Sequence, residues 1–121
     1  MPTRLLIDDD HLVVRLSWRD RIFAMSRDAR IPLSQIETID SVDNGFAAVA
    51  GVRAPGLGVP AARKIGRWRQ RTGTTLAVVR GRGPAIVVTA RGGSLRSIVV
   101  SDPQAIRRAA ELSEHLEQVG R

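Results

Sequence analysis

Residues whose side chains could carry catalysis or hold a metal are few in this chain, and the densest group is Asp8-Asp9-Asp10-His11. Carboxylates and imidazoles are the groups that metal sites and acid–base catalysis use. Consecutive residues of an extended turn point alternately to opposite sides, so three adjacent carboxylates do not converge on one cation. Aspartate is also a favoured turn residue. We therefore interpret the cluster as a solvated turn between two strands and expect no metal.

The candidates for a general base near neutral pH are His11 and His115. His115 falls on the polar flank of a predicted helix, beside Arg108 and Glu111. No serine stands in a nucleophile-elbow context, and the chain has no cysteine, which excludes thiol catalysis and disulfides. Because such catalysis needs a nucleophile, a base and an orienting group together, we expect no enzymatic activity and no cofactor.

The segment from Gly56 to Ala61, Gly-Leu-Gly-Val-Pro-Ala, formally matches the dinucleotide-binding fingerprint. That motif needs a strand before it, a helix after it and an acidic residue about 20 positions later. Pro60 is unfavourable for the helix, and no acidic residue occurs between Asp43 and Asp102. We interpret the match as a coincidence within a glycine-rich loop that is predicted over 51–60.

Arginine dominates the charge of the chain, which is +7 with 19 basic residues, all but Lys64 being arginine. On a strand, Arg67, Arg69 and Arg71 would share one face and Trp68 the other. Guanidinium groups pair well with phosphate, so the three form a candidate anion-binding stripe. Anionic lipid is favoured over nucleic acid as its ligand, because single-strand binding also needs exposed aromatics and the chain has only two Trp and two Phe. The alternative is a solvated face that protects a sheet edge, and frequent arginine throughout the chain favours it.

The elements that would position these residues alternate short apolar runs with turn residues. The spacing predicts strands over 4–7, 11–16, 30–33, 36–42, 63–70, 75–80, 85–90 and 95–100, the last four as an antiparallel meander. Ser17 and Asp20 fit a capping box, and apolar residues at helical spacing predict a short helix over 18–26. A helical turn is predicted at 46–50.

A longer helix is predicted after Asp102, which is a good N-cap residue ahead of Pro103. Its apolar stripe is expected to comprise Ala105, Ile106, Ala109, Leu112, Leu116 and Val119. Polar residues occupy the opposite side.

Three strands carry consecutive apolar triplets, which predicts that both faces of the same sheet region are apolar. The triplets are 77–79, 86–88 and 98–100, and their central residues Val78, Val87 and Val99 are the candidate interface. Apolar patches of that kind mark contacts with another molecule. The alternative is that the helix predicted over 18–26 covers the second face.

Three segments, Arg30-Ile31-Pro32-Leu33-Ser34-Gln35-Ile36, Gly51-Val52-Arg53-Ala54-Pro55-Gly56 and Ser101-Asp102-Pro103, resemble the bacterial pleckstrin-homology-like domains, which are small cytoplasmic proteins common in actinobacteria. The resemblance implies an α+β fold, in which a bent antiparallel barrel of about seven strands is capped by a C-terminal helix, and it implies no catalytic residues. Eukaryotic relatives bind phosphoinositides through a Lys/Arg-x-Arg pattern. Arg15, Arg19 and Arg21 have roughly that spacing here. Asp20 interrupts it, however, and Arg19 and Arg21 fall on the predicted helix, so the lipid site is not carried over.

The sequence thus predicts one domain over 1–121 and two candidate functions. The first is a non-catalytic protein-interaction or self-assembly module, whose partner is a second copy or another protein. The second is an anion-surface binder that uses the arginine stripe. The apolar run at 5–7 is too short for a signal peptide, and no stretch reaches the length of a membrane span, so a cytoplasmic protein is expected.

Overall fold

The computed structural model describes residues 3–8, 10–17, 29–49, 52–59, 63–70, 73–93 and 95–120. These residues form nine strands, a 3₁₀ turn at Leu33–Gln35 and two helices. The strands are β1 (Arg4–Asp8), β2 (His11–Arg15), β3 (Ala29–Pro32), β4 (Ile36–Val42), β5 (Val52–Val59), β6 (Arg63–Gln70), β7 (Gly73–Arg80), β8 (Ala85–Ala90) and β9 (Leu95–Ser101), and the helices are α1 (Gly45–Ala48) and α2 (Ala105–Gly120).

The strands form two sheets, and neither closes on itself within the described residues. The small sheet has the order β1-β2-β3, and the large sheet has the order β4-β8-β9-β7-β6-β5. Together with α2 they make a small α+β fold, as predicted. The helix predicted over 18–26 lies outside the described residues.

The predicted antiparallel meander is wrong at the centre of the large sheet, where β9 lies between β7 and β8. Val99 is paired with Ala77 of β7 in parallel and with Val87 of β8 antiparallel. Strand spacing fixes the lengths of strands and turns but not their neighbours. Here β9, whose Ile98, Val99 and Val100 are all buried, takes a position with a strand on each side.

The predicted loop over 51–60 is also wrong, because its central part is strand β5. Gly56 and Gly58 are paired with Gly66 and Lys64 of β6. The next described element is therefore a strand, which removes the structural context of a dinucleotide site. With β5 included, the described residues form nine strands rather than about seven.

The inner cluster of buried side chains lies between the two sheets and α2. Its residues include Leu12 and Val14 from the small sheet, Val78, Val88 and Ile98 from the large sheet, and Ala105, Ala109 and Leu116 from α2. Helix α2 packs mainly against β4 and also contacts β8 and β1, so it spans the gap between the sheets.

The outer cluster lies on the opposite face of the large sheet and confirms that this sheet is apolar on both sides. Its buried residues are Val49, Ala77, Val79, Ala85 and Val99, with Val42, Phe46, Trp68 and Val87 packed at its margin. Residues of the chain itself, from α1 and its flanks, therefore cover part of this face.

Helix α1 sits very close to the sheet because its first residue is glycine. The Gly45 amide donates a 2.9 Å hydrogen bond to the carbonyl oxygen of Gly83. A Cβ at position 45 would lie 2.6 Å from the Cβ of Ala85. Only glycine allows this approach without movement.

The start of α2 is capped as predicted. The amide of Gln104 donates to Oδ1 of Asp102 at 2.8 Å, and Nε of Arg108 lies 3.1 Å from Oδ2 of the same carboxylate. In the described part of the chain, no helix combines the length and the apolarity that crossing a membrane requires.

Candidate functional site

The described residues of the aspartate–histidine cluster form pairs at the surface. His11 Nδ1 lies 2.7 Å from Oδ1 of Asp10, whose side chain is 84% exposed. Asp8 points toward Arg30, with 3.9 Å between their charged atoms. Among the described residues, which do not include Asp9, no three His, Cys, Asp or Glu side chains lie close enough to hold a metal.

The candidate arginine stripe is described in part. Arg67 is paired with Leu76 and Arg69 with Thr74 in the β6–β7 ladder, and the side chain of Arg69 is exposed. Arg71 lies outside the described residues. Arg96, on β9, lies near the same end of the sheet, but its guanidinium is already 3.8 Å from the Glu37 carboxylate.

Two further arginines lie at the other end of β7. Arg80 is six residues beyond Thr74, which corresponds to about 20 Å along a strand. The guanidinium of Arg82 is stacked over the ring of Phe46, 5.2 Å from its centroid. On β6, Arg63 is paired with Arg80 at this end and Arg67 is paired with Leu76 between the two ends, so the described arginines are spread along the length of the sheet.

The three candidate interface valines occupy three different environments. Val78 is 2% exposed in the inner cluster, and Val99 is 1% exposed in the outer cluster. Val87 is half-buried at the margin of the outer cluster. Because a fully buried side chain presents no surface to another molecule, only Val87 of the three is placed to make such a contact in this fold.

A pocket of about 410 Å³ lies between the start of α2 and the chain segments that face it. One wall is formed by Asp43, which follows β4, and by Pro84 of the β7–β8 loop. The other wall is the first turn of α2 and the residues before it. Its lining residues are Asp43, Pro84, Pro103, Gln104, Ala105, Ile106 and Arg107.

Ile106 lies on the helix wall of this pocket and is 72% exposed, and it is the one exposed large apolar residue among the side chains that the structure describes. We predicted that it would belong to the buried stripe of the helix, and that prediction is wrong. The buried positions Ala105, Ala109 and Leu116, with half-buried Leu112, are spaced by three and four residues. Position 106 is one residue, or about 100°, away from that row, so strict helical spacing could have identified Ile106 as exposed.

A second groove of about 270 Å³ runs between β1 and α2, and His115 is found there. Leu5 and Leu112 contribute apolar surface, while Arg108, Glu111 and His115 supply charge or polarity. Arg108 is paired with Asp102, and Glu111 lies 3.8 Å from Arg107. Within this groove Arg108 and Asp102 therefore satisfy each other, while the partner of Glu111 is Arg107, which lines the first pocket.

The Ile106 pocket combines a protruding apolar side chain, a concave surface and one side chain of each charge. Such features are typical of surfaces that bind another molecule. They were not among the site residues that the sequence suggested. Comparison of the chain with protein-family models, with curated proteins and with solved structures found no match.

Proposed function

We propose that the protein is a non-catalytic self-assembly module whose contact surface, the Ile106 surface, consists of Ile106, Arg107, Asp43, Pro84 and the pocket between them. The observation that carries this proposal is the 72% exposure of Ile106 beside that pocket. Full burial of an isoleucine side chain contributes about 1.5–3 kcal/mol relative to exposure. A folded chain that leaves this side chain in water gains that free energy only by association.

A second copy of the chain suits this surface because a protruding apolar side chain, a pocket, an acidic residue and a basic residue all lie on it. A surface that contacts its own image must be complementary to itself. Asp43 is exposed, and within the described residues it forms no ion pair, so its carboxylate is available to a partner cation. Each copy carries a charge of +7, so association is measured at moderate salt, where long-range repulsion is screened.

Sedimentation velocity from low to high micromolar protein tests the proposal. We expect a concentration-dependent monomer–dimer equilibrium, because seven residues line the pocket whereas stable complexes bury roughly 20–30 residues on each side. A species that remains strictly monomeric at high micromolar concentration would contradict self-assembly.

The finer assignment of the fold, to the pleckstrin-homology-like group, is part of the same proposal. It is supported by the order of elements: small antiparallel strands first, a larger sheet next and a final helix that bridges the sheets. The parallel pair β7–β9 is a departure from an all-antiparallel barrel.

The alternative function is an anion-surface binder that uses Arg67, Arg69 and Arg71. The exposure of Arg69 is compatible with it. Against it, Arg96 is paired with Glu37 and Arg82 is stacked over Phe46, so these two arginines of the same sheet already have partners within the chain. Binding to vesicles of anionic lipid should then fall steeply with salt and disappear when the three arginines are changed to serine. Salt-insensitive binding, or binding that survives the triple change, would exclude the stripe.

A further inference from the structure

On the Ile106 surface, the protruding side chain of Ile106 lies beside the pocket. This arrangement limits the orientations in which two copies can bind each other. Ile106 projects from the first turn of α2, while the pocket opens between that turn and the opposite wall at Asp43 and Pro84. In a two-fold contact, points on either side of the axis exchange partners. A two-fold axis that runs between Ile106 and the pocket therefore places Ile106 of each copy over the pocket of the other copy.

We infer that two copies of the chain form a two-fold dimer in which Ile106 of each enters the pocket of the other and Asp43 of each faces Arg107 of the other. This inference rests on the proposed self-assembly. The pocket, at about 410 Å³, has room for one branched aliphatic side chain, and Pro84 and Ala105 in its lining offer it apolar surface.

The charges support the same arrangement. Asp43 lies on the far wall of the pocket, whereas Arg107 lies beside Ile106 on the helix wall. When Ile106 of each copy lies in the pocket of the other, the wall that carries Asp43 in one copy faces the wall that carries Arg107 in the other. Arg107 already has two partners within its own chain, because its Nη2 donates to Oε1 of Gln104 and its Nε lies 3.8 Å from Oε1 of Glu111. A guanidinium has five N–H donors, so further donors remain for a carboxylate of the other copy.

The apolar contact is tested by Ile106→Asp. Because Ile106 is 72% exposed, this variant should keep the far-ultraviolet spectrum of the parent and, at concentrations where both proteins are monomeric, its melting temperature. It should sediment as a monomer at concentrations where the parent is dimeric. A dimer that persists in Ile106→Asp would overturn the inference while leaving self-assembly in place, whereas a monomeric parent would overturn both.

The register is tested by reversing the charges. Asp43→Lys alone and Arg107→Glu alone should each weaken dimerisation about tenfold, because two like-charged pairs then face each other across the interface. The double variant should return the dissociation constant to near that of the parent. Glu114→Lys, which makes the same change of charge on an exposed position of α2 outside the pocket, should leave it unchanged. Failure of the double variant to recover, or an equal effect of Glu114→Lys, would contradict the pairing of Asp43 with Arg107.

Discussion

The contact of α1 with the large sheet can be measured by replacing Gly45 with alanine. The new methyl carbon would lie 2.6 Å from the Cβ of Ala85 and 3.6 Å from Cγ1 of Val79. Carbon atoms in contact prefer about 3.5–4.0 Å, so roughly 1 Å of separation must open. The Cβ of Ala85 is fixed to the backbone of β8 and cannot rotate away, so α1 itself has to move outward.

Overpacking of this kind costs about 1–3 kcal/mol. Unfolding entropies near 2.1 cal/mol/K per residue give about 250 cal/mol/K for 121 residues, so each kcal/mol lowers the melting temperature by about 4 °C. We therefore expect Gly45→Ala to melt about 4–12 °C below the parent. Movement of α1 also exposes Phe46 and Val49, which line the outer cluster.

Gly83→Ala is the matched control, since it removes the same backbone freedom from the unfolded chain. A Cβ at position 83 meets nothing within 4 Å, and the Gly83 carbonyl can still accept the Gly45 amide. This control should equal the parent or exceed it by up to about 1 kcal/mol. Urea unfolding monitored by tryptophan fluorescence gives the free energy of unfolding of each variant, and calorimetry gives its melting temperature. Equal stability of the two alanine variants would refute the close contact between α1 and the sheet.

Three further changes probe other contacts by the same unfolding assays. Asp102→Ala removes the cap of α2 and should lower the free energy of unfolding by about 0.5–2 kcal/mol, whereas Asp102→Asn keeps the acceptor for the Gln104 amide and should lower it less. Equal losses of stability in the two variants would show that the ion pair with Arg108, and not the cap, stabilises the helix. Ser97→Ala removes the 2.6 Å hydroxyl contact with buried Thr75 that joins β7 to β9, and a loss of about 0.5–1.5 kcal/mol is expected; an unchanged urea midpoint would count against that bond. Val78→Ala and Val99→Ala should each cost about 2 kcal/mol without altering the oligomeric state, while half-buried Val87→Ala costs less; loss of dimerisation in a well-folded Val99→Ala protein would contradict its burial within the chain.

The elements with strong local signals were predictable from the sequence. Asp102 and Pro103 mark the start of α2, and the breaks at Gly81–Pro84 and Gly92–Gly93 separate β7, β8 and β9 correctly. These features depend on residues close together in the chain. The apolar triplets also indicated correctly that both faces of the large sheet are apolar, because that property belongs to each strand alone.

Features that depend on distant residues were not predictable. The glycines of β5 favour a loop when considered alone, and only pairing with β6 makes them a strand. The triplets suggested a contact with another molecule, since nothing local shows that α1 and Trp68 pack on the outer face. The candidate surface was missed for a different reason, because Ile106 adjoins a true apolar row and was counted with it.

The insertion of β9 between β7 and β8 has a consequence for how the chain reaches its native state. During synthesis β7 and β8 emerge before β9. They are joined by a short turn at Gly81–Pro84 that allows them to pair as a local hairpin. In the native sheet, the edge of β7 and the edge of β8 that such a hairpin would join are each paired with β9 instead. A hairpin formed early therefore has to separate before β9 can enter. The order of synthesis and the order of strands disagree at the centre of the large sheet, and the rate of folding should be governed by that exchange of partners rather than by closure of the nearest turn.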